Sequence, residues 1–270
     1  MLNPKFLQTA GRWMNKDIPE DNSKNPVSQK RTSSTAIPDF DYFFLGDELG
    51  KKVHEDVVRK YGSHAFVTNN VSYDKDTKLI RGSKPGYIVA VNEFLRNKNL
   101  RTATSYDVQK AIDEGKLNFS GVYEDLGLVL YSESGENEYL AKDLANQVKK
   151  RNGRLELPAL FHLTGLELRV DKNAPEGMAF NLTDNSQIIQ AQQLSFANDQ
   201  KKFLKLNESG LPIFDDNGKH TFYAGNSGLR MLVRNRYSYL IAGNWYLVSS
   251  DDDGRVLVCR EAVRSGLGGK

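Results

Sequence analysis

Four carboxylates near the middle of the chain hold the most chemistry within reach of one another. Glu124 and Asp125 stand just before the apolar run Gly127–Ser132 (GLVLYS), and Glu167 and Asp171 bracket the next strand-like segment. Acids brought to a common point could share a Mg²⁺ ion, because a hard cation takes oxygen ligands at about 2.0–2.6 Å and polarises a phosphodiester toward attack by water. That is the chemistry of a metal-dependent hydrolase such as a nuclease, with Mg²⁺ as its cofactor. Nucleases built on mixed sheets commonly carry acid-x-lysine on a strand. Here the third residue is Arg169, which stays protonated and cannot serve as a base. Strand alternation also gives Glu167 and Arg169 a simpler role as neighbours on a solvent-facing side.

The second concentration is basic and aromatic: Arg230, Arg234, Arg236, Tyr237, Tyr239 and Trp245. Guanidinium groups bind phosphate bidentately, and aromatic faces stack unpaired bases for about 1–3 kcal/mol each. The same residue types dominate protein interfaces. These six residues are therefore expected to form a partner-binding surface for nucleic acid or protein; the competing expectation packs the aromatics in a β core with arginines around its rim.

Other chemistries lack their residues. The Asp-rich loops Asp215–Gly218 and Asp251–Gly254 do not have the alternate acids, sixth-position glycine and twelfth-position glutamate of a calcium loop, so they read as turns. His54, His64, His162 and His220 are scattered and Cys259 is the sole cysteine, which gives no zinc spacing. No resident metal or cofactor is expected. Gly46–Lys51 is one residue short of a phosphate loop, and neither a dinucleotide fingerprint nor Gly-x-Ser-x-Gly occurs. An ATPase, a simple Rossmann dehydrogenase and an α/β-hydrolase are all disfavoured.

The elements that must position these residues follow from periodicity. Leu45, Leu49, Val53, Val57 and Tyr61 recur every four residues before Gly62 and predict a helix. Tyr87 to Leu95 predicts a second, with Ser83 as its cap, and Thr104 with Asp107 has the capping-box form for a third. GLVLYS predicts a strand and Glu136–Arg151 a helix, whose acids at one end and bases at the other match its dipole. A strand from Leu155, shortened by Pro158, completes a strand-helix-strand unit. Leu166–Val170 and Met178–Leu182 alternate as a strand pair. Ile213–Phe214 with Thr221–Tyr223, and Tyr246–Ser249 with Val256–Cys259, flank glycine-containing turns and predict two hairpins.

These readings sum to an α+β fold with a mainly helical first half, a mixed central sheet and antiparallel hairpins at the C-terminal end. One domain is expected over residues 39–264, with Asp184 as the place where a second subdomain would begin. Residues 1–38 are mostly polar and hold six basic against three acidic side chains, which equals the whole net charge of +3. They predict a flexible basic arm, and residues 265–270 a disordered tail. The first sixteen residues, with Lys5, Arg12 and Lys16 and no acid, also have the make-up of a short docking or targeting helix. The lone cysteine and the absence of any apolar run near membrane-spanning length point to a soluble cytoplasmic protein with no membrane partner. The resulting expectation is a non-catalytic binding or assembly protein that meets a nucleic acid or protein through the arm and the Arg/Tyr surface. The metal-dependent hydrolase is the alternative.

Overall fold

The computed structural model describes residues 42–235, 239–243 and 246–260, all within one compact unit, Ser34–Lys270. The basic arm, residues 1–38, and the tail, residues 265–270, lie outside the described residues, as do Arg236, Tyr237 and Trp245.

The chain begins with strand β1 (Tyr42–Phe44), helix α1 (Asp47–Tyr61), the short helix α2 (Ala65–Thr68), β2 (Ser72–Tyr73), β3 (Ile80–Arg81), helix α3 (Pro85–Leu95), β4 (Leu100–Thr102) and helix α4 (Ser105–Asp113). The middle holds β5 (Glu124–Leu130), helix α5 (Glu138–Asn152), β6 (Ala159–His162), β7 (Leu166–Val170), β8 (Met178–Leu182) and β9 (Ile188–Gln190). The last part is β10 (Gln200–Leu206), β11 (Pro212–Phe214), β12 (His220–Ala224), β13 (Leu229–Arg234), β14 (Leu240–Gly243) and β15 (Leu257–Arg260).

Eight strands form a mixed sheet in the order β11-β10-β12-β14-β13-β5-β6-β9, and β1-β15-β4 form a second sheet. The expectation of a mainly helical first half is corrected by this arrangement. The molecule is strand-rich, and β1 to β4 interleave with the early helices. Those strands are two or three residues long, too short to show a period of two, and β1 and β4 find their partner in β15 at the far end of the chain. The expected terminal hairpins are corrected too. β11 and β12 flank β10 and each pairs with it, not with the other. Tyr246–Ser249 forms no strand, and β15 joins β1 and β4.

The central unit is present as β5, α5 and β6, with β5 and β6 antiparallel neighbours. Leu140, Leu144 and Val148 recur every four residues on α5 and are buried, while Glu138 opens the helix and Lys149, Lys150 and Arg151 close it. Thr104 and Asp107 make the full capping box of α4. Ser83 does not cap α3: Lys84 stands at the cap position, followed by Pro85. Each face of the large sheet buries its own core. Asp125, Leu128, Met231, Val233 and Phe161 face α3 and α5, whereas Glu124, Val129, Leu232, Leu160 and Phe222 face α4 and Leu257 of β15. Fully burying one such Leu, Val or Phe contributes about 1.5–3 kcal/mol.

Helical cover on the first face ends near β13. Beyond it Gln200, Lys202 and Leu204 of β10 are exposed, and Tyr223 of β12 and Ile241 of β14 are half-buried. Among the described residues no helix is long and apolar enough to cross a membrane.

Candidate functional site

Being consecutive on β5, Glu124 and Asp125 point to opposite sheet faces. Glu124 Oε1 accepts from the Leu257 amide at 2.6 Å, under α4. The Asp125 amide donates to Ser83 Oγ at 3.1 Å, at the start of α3. Both side chains are fully buried. Glu167 stands on the outer side of β7 and meets Arg96 at 3.5 Å. Asp171, at the turn after β7, accepts from Tyr139 Oη and from Arg169 Nη1, each at 2.8 Å. Arg169 also reaches Asp143 at 2.7 Å, so it ties the hairpin to α5. The four carboxylates converge on no common point, and the described residues contain no group of three or more His, Cys, Asp or Glu placed to hold a metal ion. The geometry that a shared Mg²⁺ demands is not met.

Arg230 and Arg234 do not sit on a surface or at a rim. They occupy the α4-side face of β13 at 6% and 1% exposure. Arg230 Nε donates to the Ser227 carbonyl at 2.8 Å, and the guanidinium lies so close to Gly225 that a side chain there would collide with it. Arg234 stands directly across from Glu124. Its Nε, Nη1 and Nη2 have no hydrogen-bond partner among the described residues. Burial pulls its pKa down to about 10, with Asp113 acting against the shift. Burial likewise holds Glu124 well above the usual carboxylate range, the Leu257 amide opposing. Tyr239 is half-buried, edge-on to Tyr223 with ring centroids 5.3 Å apart.

A further polar network escaped the sequence reading. Lys84 is fully buried, and its Nζ donates to the Ala65 and Val248 carbonyls at 2.6 and 3.3 Å. Burial lowers its pKa to about 8, with Glu176 and Asp125 acting against the shift. Burial raises Asp125 to about 7, with the Ser83 side chain and the Lys84 charge acting against the shift. The Ser83 amide donates to Ser250 Oγ at 2.9 Å, and Tyr123 Oη donates to the Ser83 carbonyl at 3.1 Å. Gly82 at φ 91° lets the chain pass this point, where a Cβ would strike the Asn70 carbonyl. Ser250 and Asp251, with Asn70, Ser72 and Asp252, also line an open polar cleft of about 400 Å³. The hint in the sequence was Gly82-Ser83-Lys84-Pro85, a cation between a glycine free to take positive φ and a proline that fixes φ.

The uncovered part of the sheet differs in character. Lys202 Nζ donates across the strands to Thr221 Oγ1 at 3.0 Å, Leu204 is 52% exposed, and Ile213 on β11 is 41% exposed. Lys201 and Lys205 flank them, and the Lys201 ammonium lies 4.7 Å from the Phe214 ring centroid. Comparison with protein families, curated proteins and solved structures finds no match to this chain.

Proposed function

We propose that the chain is a non-catalytic, cytoplasmic binding protein that takes single-stranded nucleic acid on the uncovered stretch of its large sheet. The observation that carries the reading is the company kept there: Lys202, Leu204, Tyr223 and Ile241 share the face that the helices leave open, with Tyr239 beside them. Ammonium groups neutralise phosphates and tyrosine rings stack on bases, and neither contact depends on base identity. Lys219 and Arg236 add basic side chains in the sequence nearby, and the arm, residues 1–38, supplies further ones. Arg230 and Arg234 act from beneath the sheet as supports and have no part in contact.

Fluorescence anisotropy with a labelled oligothymidine of about 20 nucleotides tests the reading. Binding should weaken steeply with salt, Lys202→Glu should cost about tenfold, and Tyr223→Ala about five- to a hundredfold, the worth of one stacked base. Deleting residues 1–38 should flatten the salt dependence. Absence of binding at low salt, or equal affinity in all variants, would refute the assignment.

A further inference from the structure

The open cleft between Asn70–Ser72 and Ser250–Asp252 combines room with polar groups that the fold leaves unused. Its volume of about 400 Å³ falls within the range of roughly 300–1,000 Å³ usual for small-molecule sites. The two walls come from distant parts of the chain and are fixed against each other through Gly82 and Ser83. A Cβ on Gly82 would lie 2.4 Å from the Asn70 carbonyl and 2.7 Å from Ser250 Oγ, so the three segments touch there. The Gly82 amide donates to the Gly254 carbonyl at 2.9 Å, and the Asp251 amide donates to Tyr123 Oη at 2.8 Å. The cleft is thus shaped before anything enters it, which lowers the ordering cost of binding.

Among the described residues, the side chains of Asn70, Ser72, Asp251 and Asp252 make no hydrogen bond or ion pair, and all four residues are exposed. Ser250 differs in being only 7% exposed, with its Oγ accepting from the Ser83 amide at 2.9 Å. Within the described residues its hydroxyl proton finds only Tyr123 Oη, at 3.4 Å, an oxygen that already accepts from the Asp251 amide. A better acceptor for that proton would be a group in the cleft.

The set is chemically mixed: two carboxylates that accept, an amide that does both, and two hydroxyls with protons to give. An ammonium group only donates, which would leave Asn70 Nδ2 and both hydroxyl protons idle. A phosphate only accepts, and it would face Asp251 and Asp252. A hydroxyl donates and accepts at one atom, so several hydroxyls on one small frame would use the whole set.

We infer that this cleft binds the hydroxyl groups of a sugar unit. Asp251 and Asp252 accept from neighbouring hydroxyls, while the Asn70 amide and the Ser72 and Ser250 hydroxyls donate to the sugar oxygens. Val71 is the apolar member of the lining, so the contact is polar, exchanges hydrogen bonds with water nearly evenly, and has a Kd on the order of 1 mM. The cleft shares no residue with the proposed nucleic-acid surface, so either assignment stands or falls without the other.

Titration of the full, isotopically labelled chain with D-glucose, D-galactose, D-mannose and D-ribose, followed by amide chemical shifts, provides the test. At least one of these sugars should move the Asn70, Asp251 and Asp252 amides saturably. Asp252→Asn should raise its Kd about tenfold, whereas Asp216→Asn, in the turn after β11, should leave it unchanged. The methyl glycoside of the active sugar separates two sources: retained binding marks a unit at the end of a glycan, and lost binding a free sugar. No saturable shift with any of the sugars, or equal affinity in wild type and Asp252→Asn, overturns the inference. So does a response to methylammonium chloride as strong as that to the sugars, which would make the cleft a cation site. Should Asp252→Asn fail to fold, Ser72→Ala must show the loss in its place, and unchanged affinity there overturns the inference equally.

Discussion

At the scale of single residues, Asp125 and Lys84 tie the stability of the fold to pH. Folded Asp125 keeps its proton up to about 7, against an ordinary value of 3.8. The native state therefore binds more protons across that window, and stability falls as pH rises through it. Lys84 works in the other direction, since it releases its proton at about 8 when folded against 10.5 ordinarily, so stability rises over that range. Together they place a minimum near pH 7–8, with Glu124 adding to the acid limb. Urea midpoints at about pH 5, 7.5 and 9.5 should trace this valley, and Asp125→Asn should shorten its acid side and add roughly 1–3 kcal/mol near neutrality. A flat profile common to both chains would contradict the pairing. The sequence pointed to Glu124 and Asp125 because they precede an apolar strand, yet it read them as acids that could share one ion. Strand alternation places them on opposite faces, but what covers each face, α3 with Lys84 on one side and α4 with Leu257 on the other, is decided by distant segments. Arg230 and Arg234 were read as surface for the same reason: Leu-Arg-Met-Leu-Val-Arg looks half wet until a helix is laid over its polar side.

At the scale of elements, the parts with strong local signals were legible. Helix α4 rests on Thr104, whose hydroxyl meets the Asp107 amide at 3.4 Å while the Asp107 carboxylate accepts from the Thr104 amide at 2.8 Å. Thr104→Ala should lose about 1 kcal/mol, read as a lower urea midpoint with unchanged slope. Leu144 on α5 is fully buried, and Leu144→Ala should cost about 2–5 kcal/mol in the same measurement. A loss under 1 kcal/mol at Leu144 would mean that α5 is not packed as described. Strand partnership was much less legible. The turn Asp215-Asp-Asn-Gly joins β11 to β12, but β10 lies between them, because a turn sequence fixes a change of direction and leaves the partner to the rest of the sheet. Gly228, at φ 68°, shows the same dependence: a side chain there would collide with the Glu136 carbonyl, a contact no local reading anticipates.

At the scale of the molecule, β14 joins the two parts of the large sheet, running parallel to β12 on one side and antiparallel to β13 on the other. Ala242, fully buried at this seam, should not tolerate a charge: Ala242→Asp should abolish the cooperative thermal transition, and a native-like melt would show the seam to be loose. The small sheet places a further demand on the chain. Cys259 of β15 pairs with Tyr42 of β1 and with Arg101 of β4, so two early strands share a partner that is synthesised long after them. While the ribosome is still making the last third, β1 and β4 have unclaimed backbone edges next to helices that have already emerged, a state prone to mispairing. Closure of the small sheet therefore waits for β15 to emerge, however early its first two strands and the helices beside them are made.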